Sequence, residues 1–405
     1  MKGLILAAGK GSRMKPLTEY LPKPLLPIAN KPMILYHIEK LEKLGVDEIY
    51  VVVNHNKEPL EKALDGRVKF LQQKEMKGTG DAVLIAKGVM DDDFIVVFGD
   101  TYFTDDLSSF RNLEECTIAA YRVQDVSRFG SLVLENGRVK SILEKSGKGE
   151  GLIFAGIAFF NPDVFDKLER VELSPRGEIE LTDVLLGCKV IELKGSWMDV
   201  GYPWSLLEAN ELELKRRSKS LESKIEGKVE EGAIIKGYVE IGEGTVVRSG
   251  SYIEGPVVIG KNCDVGPNCY IRPYTSLGNN VRVGNACEVK NSIVMDGTKI
   301  PHQNYVGDSV IGRNCNLGAG TKIANLRFDK QTVKVNVKGK KVDTGRKKLG
   351  VIMGDNVQTG INVSIYPGVK IGSDSWIAPG TLVYEDLEKG SYLRVEQKSL
   401  KKRCN

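Results

Sequence analysis

The run Leu6-Ala7-Ala8-Gly9-Lys10-Gly11-Ser12-Arg13-Met14 follows a short apolar stretch. Its small residues let backbone N–H groups approach a phosphate or a base closely. It has neither the lysine–serine/threonine ending of a P-loop nor the third glycine of the dinucleotide fingerprint. Arg13 and Lys23 bracket a loop stiffened by prolines, the second in Leu21-Pro22-Lys23-Pro24-Leu25. Two cations on a rigid loop suit a triphosphate attacked at its α-phosphorus. Gln72 offers an amide to the edge of a pyrimidine, and Lys77-Gly78-Thr79-Gly80-Asp81 is a turn that admits a base against the backbone. Asp100 closes an apolar run, and Asp199 lies in Trp197-Met198-Asp199-Val200-Gly201. Both are candidate metal carboxylates, although either alone also suits a helix cap or a turn. His302, one of three histidines, stands in Pro301-His302-Gln303-Asn304-Tyr305-Val306-Gly307-Asp308, upstream of Asn316 and Asn325. A lone histidine is usually structural, but an imidazole among polar side chains on a coil edge suits taking a proton from an amine.

Two kinds of scaffold must position these groups. In residues 1 to about 205 apolar runs alternate with helical patterns. Gly3–Ala8, Glu48–Val53 and Phe94–Phe98 are expected strands, and Pro32–Gly45 has helical periodicity with an early proline and a closing glycine. That order predicts an α/β, Rossmann-like domain with a parallel sheet and helices on both faces, and ligands beyond the carboxyl ends of the strands. Residues 204–222 read as a charged helix, with a linker over 206–224. From about 225 the pattern changes. Ile241, Val247, Ile253, Ile259, Val265, Ile271, Leu277, Val283 and Val289 recur every six residues. Neither strand nor helix alone has that period; a parallel β-helix turning a corner every six residues does. The phase slips near Asn291, and the basic stretch Arg327–Leu349 interrupts the rhythm as an expected projecting loop. The expected domains are 1–205, the linker, and 225–405, whose tail from Lys398 is basic and loose.

Composition sets the bounds. The 405 residues are 41% hydrophobic and 27% charged, with a formal net charge of +5, which suits anionic small substrates and does not point to nucleic acid. No apolar run reaches the roughly 18 residues of a membrane span. The seven cysteines include no C-x-x-C pair. Cys263, Cys269, Cys287 and Cys315, placed by the six-residue repeat, read as small buried residues stacked in the β-helix, and reduced thiols imply a cytoplasmic protein.

Leu6-Ala7-Ala8-Gly9-x-Gly-x-Arg13, Lys23-Pro24, Gly78-Thr79-Gly80, Phe98-Gly99-Asp100, Glu144-Lys145 and Trp197-Met198-Asp199-Val200-Gly201 together resemble the sugar-1-phosphate nucleotidylyltransferases. The resemblance implies that a sugar-phosphate oxygen attacks the α-phosphate of UTP or dTTP and that pyrophosphate leaves. It implies Mg²⁺ on Asp100 and Asp199, and Arg13 and Lys23 on the phosphates. The nucleotide would lie on Leu6, Ala7, Ala8, Gly9, Gln72, Gly78, Thr79 and Gly99, and the sugar on Gly130, Glu144 and Lys145. The two-domain layout and the His302 segment further resemble the bifunctional members that also acetylate an amino-sugar 1-phosphate in a left-handed parallel β-helix. There His302 would deprotonate the amine that attacks acetyl-CoA. Arg272 and Lys290 would hold the sugar phosphate, with Tyr305 and Asn316 in the amino-sugar site. Ala319, Asn325 and Arg394 would lie along the acetyl-CoA groove, in a homotrimer or a dimer of trimers. Phe154, Ile361 and Pro379 stand where the family often has Asn, Ser and Ala. A second reading is a single-function thymidylyl- or uridylyltransferase whose β-helix only trimerises or regulates. A third, a non-catalytic regulatory subunit, predicts eroded Arg13, Lys23, Asp100 and Asp199, yet all four are present.

Overall fold

The computed structural model describes residues 1–396 and 398, apart from 55–56, 65 and 145–148. His55, Lys145, Cys404 and nearly all of the tail from Lys398 therefore lie outside the described residues. The chain forms two compact units, one of residues 1–11, 21–26 and 31–201, the other of 12–20, 27–30 and 202–405.

The first unit is built on a nine-stranded sheet. Its strand Lys2–Leu6 lies between Glu48–Val53 and Phe94–Phe98, parallel to both. Lys69–Gln72 extends the parallel part beside Glu48–Val53. Side chains alternate between the two sheet faces. Accordingly Ile5, Val51, Val53, Ile95 and Val97 belong to one apolar cluster, and Leu4, Tyr50, Val52, Phe94 and Val96 to the other. Met33–Leu44 is the expected helix; it buries Ile34, Ile38 and Leu41 and ends at Gly45, whose φ of 89° closes it in the left-handed region. The sheet is not wholly parallel. Gly151–Phe160 runs antiparallel to Phe94–Phe98 and to Thr117–Val123. Gly130–Glu135 and Arg138–Glu144 form a hairpin. The two residues joining them, Asn136 and Gly137, both have positive φ, 50° and 75°. That Asn-Gly pair is a hairpin signal, and it adds antiparallel strands to a sheet that was expected to be parallel.

The reduced-thiol reading is corrected here, because Cys116 and Cys188 are joined by a disulfide across 72 residues. It ties the start of Thr117–Val123 to the segment entering Lys189–Glu192, which pair in parallel. Closing so long a loop restricts the unfolded chain. Replacing both cysteines by serine is expected to lower stability by about 2–4 kcal/mol, read as a lower urea midpoint that a reducing agent no longer shifts.

The second unit opens its continuous part with the helix Pro203–Ser220 and then winds a left-handed parallel β-helix from Lys224. Its three faces begin at Lys224–Ile225, Lys228–Val229 and Ile234–Lys236. Val239 pairs with Val257 and Val257 with Thr275, so each coil takes eighteen residues, six per face. The six-residue series points inward: Ile241, Val247, Ile253, Val265, Ile271, Val283 and Val289 form one buried column with Ile365, Ile371 and Val383. Cys263, Cys269, Cys287 and Cys315 are free and buried in it, and burial pushes the Cys269 and Cys315 thiols up to about 11 and about 12.

The phase slip has a simple structural form. Glu288 pairs with Tyr305, and Ser276 with Ile293, seventeen residues apart rather than eighteen. One residue is missing at the corner between the third face and the first. At the same corner of a later coil the chain inserts Arg327–Leu349, so Val310 pairs directly with Ile352. The insertion is not merely a projecting loop. Lys334–Val337 and Lys340–Asp343 form an antiparallel hairpin, and Val333, Val335 and Val337 are buried. The alternation Val-Lys-Val-Asn-Val gives one apolar face that lies back on the coils: a Cβ on Gly368 would come within 2.5 Å of a Val333 methyl.

Candidate functional site

In the first unit a cleft of about 350 Å³ opens beyond the carboxyl ends of the parallel strands. It gathers Leu6, Ala7, Ala8, Gly9, Lys23, Gly78, Thr79, Gly99 and Asp100. Gly99 donates its N–H to the Leu6 carbonyl, and a Cβ there would stand 2.9 Å from that oxygen. A Cβ on Gly78, where φ is 101°, would fall 2.4 Å from the Ile179 carbonyl oxygen. Glycine is required at that turn on both counts. Lys23 sits in a short 3-10 turn between two prolines, only 8% exposed, and its Nζ donates to Asp100 Oδ2 at 2.9 Å.

Asp199 ends the strand Trp197–Asp199, which pairs antiparallel with Thr101–Phe103 and puts Asp199 opposite Thr101. Val200 N–H donates to the Asp100 carbonyl. The backbone thus brings Asp199, at a strand end, beside the turn that carries Asp100. Among the described residues no group of three or more His, Cys, Asp or Glu is poised to hold a metal. Two carboxylates without a protein cage fit Mg²⁺, which keeps waters and shares phosphate oxygens.

The cleft does not include Gln72. Gln72 is exposed at the end of its strand, and the next residue, Gln73, is buried and lines the cleft. Neighbouring side chains of an extended segment point to opposite sides, so a one-residue difference decides which amide faces inward. Arg176, Glu178 and Glu180, which the sequence reading did not single out, also line it. Burial raises the Glu180 carboxyl, against the pull of Arg176. Gly130 and Glu144 lie opposite each other in the hairpin, and a Cβ on Gly130 would touch Glu144 Oε1 at 3.0 Å. Glu144 shares a second hollow with Thr182 and Asp183, and burial raises Asp183, with Glu144 adding to it. Phe154 packs edge-on against Phe98. Arg13 belongs to the second unit, where its guanidinium lies 5.2 Å from the Tyr202 ring, itself stacked on Trp204.

The second unit carries a polar cluster where the coil has lost its residue. Asn291 and Asp308 occupy that shortened corner in successive coils, with positive φ of 45° and 50°. The Asp308 carboxylate is buried. It accepts hydrogen bonds from Asn291 Nδ2 at 2.8 Å, Asn325 Nδ2 at 2.6 Å and Lys290 Nζ at 3.4 Å. Asn325 also donates to the Tyr305 hydroxyl at 3.2 Å. Arg346, from the insertion, reaches Asp308 at 3.9 Å and Glu211 at 2.7 Å. One coil earlier, Arg272 donates to Glu288 at 2.8 Å; that hydrogen bond raises the guanidinium further. Burial, with Glu288 and Asp308 nearby, raises the Tyr305 phenol, which keeps its proton.

Arg272, Lys290, Tyr305 and Asn325 therefore share the third face. Asp308, Glu288, Asn291 and Arg346 join them unforeseen, although Asp308 lies within the quoted histidine segment. His302 and Asn316 lie on the second face. His302 is exposed at the corner leading to Tyr305. Ala319 occupies the same corner one coil on, and Arg394 is exposed beyond the last strand of the second face. Within one chain, Asn316 and the Tyr305 cluster are on different sides of the prism.

Comparison with known proteins completes the description. Residues 2–216 match the nucleotidyl transferase family model, 253–365 a GMPPB C-terminal domain and 350–385 the hexapeptide repeat of succinyl-transferase. The chain is 48% identical to the "Bifunctional protein GlmU" of Methanocaldococcus jannaschii, over 97% of each chain. It is 45% identical to the "Bifunctional sugar-1-phosphate nucleotidylyltransferase/acetyltransferase" of Sulfurisphaera tokodaii, over 98% of this chain and 100% of the relative. It is 36% identical to the low-salt glycan biosynthesis nucleotidyltransferase Agl11 of Haloferax volcanii, over 79% of this chain and 94% of that one.

Proposed function

Because the chain belongs to the family of bifunctional sugar-1-phosphate nucleotidylyltransferases/acetyltransferases, we propose that it makes a UDP- or dTDP-activated N-acetylhexosamine by two transfers. The first unit transfers a nucleotidyl group from UTP or dTTP to a sugar 1-phosphate. The observation that carries this reading is the buried Lys23 side chain, its ammonium 2.9 Å from Asp100 in a cleft lined by the small residues Ala7, Ala8, Gly9, Gly78 and Gly99. The sugar-phosphate oxygen forms a bond to the α-phosphorus, and the bond to pyrophosphate breaks. Such a transfer needs alignment and charge neutralisation more than covalent help. Lys23 supplies a positive charge to the phosphates, and Arg13 has the same role by family resemblance. Gly99 and Gly78 leave room for the nucleotide to approach the backbone. Mg²⁺, for which Asp100 and Asp199 are the fitting ligands, neutralises phosphate charge when bound.

The second unit acetylates an amino-sugar 1-phosphate from acetyl-CoA. His302 accepts a proton from the amine, whose nitrogen attacks the thioester carbonyl, and coenzyme A leaves as the thiol. Arg272 and Lys290 hold the sugar phosphate, and Asn325 orients Tyr305. A second copy's second face, laid against this third face, supplies Asn316, so the enzyme works as a cyclic trimer. Its substrates, nucleoside triphosphate and acetyl-CoA, argue for the cytoplasm; reduced cysteines no longer do. Among the described residues no helix is long and apolar enough to cross a membrane.

The test is a matrix of sugar 1-phosphates against UTP and dTTP, with and without acetyl-CoA. Release of both pyrophosphate and coenzyme A is expected. Pyrophosphate alone would leave only a nucleotidylyltransferase with an architectural β-helix, and neither product would overturn the proposal.

A further inference from the structure

The Gln73 amide is held in one orientation by its neighbours. The side chain is 4% exposed. Its Nε2 donates to the Gly78 carbonyl at 3.2 Å and to Asp81 Oδ2 at 2.7 Å. Those bonds use both amide hydrogens. Oε1 accepts no hydrogen bond among the described residues, and it is the free end of a side chain that lines the cleft. Turned over, Oε1 would face a carboxylate and a carbonyl with no hydrogen between them. The frame is fixed as well: Gly80 N–H donates to the Ile179 carbonyl, Ile179 N–H to the Lys77 carbonyl and Leu181 N–H to Thr79 Oγ1.

We propose that Asp81 is a specificity-determining residue: it locks Gln73 so that the cleft offers the base a lone acceptor, which admits uracil or thymine and rejects cytosine. This rests on the nucleotidyl-transfer reading of the cleft and goes beyond it. Uracil and thymine carry a hydrogen on N3, which Oε1 accepts. Cytosine has a lone pair on N3, so two acceptors would meet in a buried site and neither would be satisfied. Cytosine and uracil have the same size, so shape cannot make this distinction. In this arrangement Asp81 never touches the base; it acts through Gln73.

The experiment measures kcat/KM for pyrophosphate release with UTP, dTTP and CTP and one sugar 1-phosphate, on the full chain. It compares wild type, Asp81→Asn, and a double variant that combines Gln73→Glu with Asp81→Asn. Wild type is expected to prefer UTP and dTTP over CTP at least about a hundredfold, and Asp81→Asn, whose own amide lets Gln73 turn, to shrink that ratio about tenfold or more. In the double variant the amide introduced at position 81 donates to the carboxylate introduced at position 73. That carboxylate can only accept, so the preference for UTP returns. A change in packing alone would lower all three substrates together and leave the ratio intact. An unchanged ratio in Asp81→Asn, no recovery in the double variant, or a wild type indifferent to CTP overturns the inference while nucleotidyl transfer stands. No turnover of any pyrimidine triphosphate by wild type overturns both.

Discussion

Lys23→Met lowers kcat/KM for nucleotidyl transfer by about 10²–10³-fold, with most of the loss in kcat, while acetyl transfer stays within about twofold of wild type. Methionine keeps the length and the apolar stem of lysine, so the 8% exposed pocket between the two prolines stays filled. What disappears is one preorganised, buried cation at the cleft. Charge on the α-phosphate and the leaving pyrophosphate grows toward the transition state, so an ammonium placed there beforehand counts more for the rate than for binding. Its position is set independently of the ligand, by Pro22, Pro24 and the hydrogen bond to Asp100. Pyrophosphate release and coenzyme A release, measured on the same preparation, check both halves of the prediction. A loss below about tenfold would move the phosphates away from Lys23.

The parts of the site that could be read from sequence are those where residue type and backbone shape coincide. Gly78 and Gly99 stand where a Cβ would collide with a carbonyl oxygen, and a glycine in a turn is visible without a structure. The buried column of the β-helix was legible for the same reason, since one aliphatic residue per face leaves a period that nothing else produces. What could not be read depends on register. Gln72 and Gln73 are alike in type, and only the end of a strand decides which one turns inward. Asn136-Gly137 is a local hairpin signal, but the antiparallel pairing that it starts extends to Ile153 and to Lys189, outside the hairpin. Asp308 and Arg346 are brought together by two events at one corner, a residue lost and a hairpin gained. No spacing rule connects two residues so far apart in the chain. The cysteines show the opposite limit. The repeat places Cys263, Cys269, Cys287 and Cys315 as buried residues of the β-helix, and all four are; Cys116 and Cys188 meet only because their strands pair.

His302→Ala abolishes most of the second activity, lowering acetyl transfer about 10²–10⁴-fold and leaving pyrophosphate release unchanged. An amino-sugar amine is protonated near neutral pH and cannot attack a thioester until a base relieves it. His302 is the one described imidazole placed for this, exposed at the corner next to the Tyr305 cluster, whereas His37 is buried in the first unit. Removing an exposed side chain leaves no cavity, so the fold is retained and the loss reports on chemistry. The same variant examines how the site is shared. Asn316 and the Tyr305 cluster occupy different faces of the prism, so one chain cannot bring both to one amino sugar. If a neighbouring copy supplies Asn316, then His302→Ala and Asn316→Ala chains, each nearly inactive alone, restore about a quarter of the wild-type rate when co-assembled in equal amounts. That is the chance that a site draws an intact histidine from one copy and an intact asparagine from the next. Full inactivity of the mixture would instead place both residues in sites drawn from a single chain.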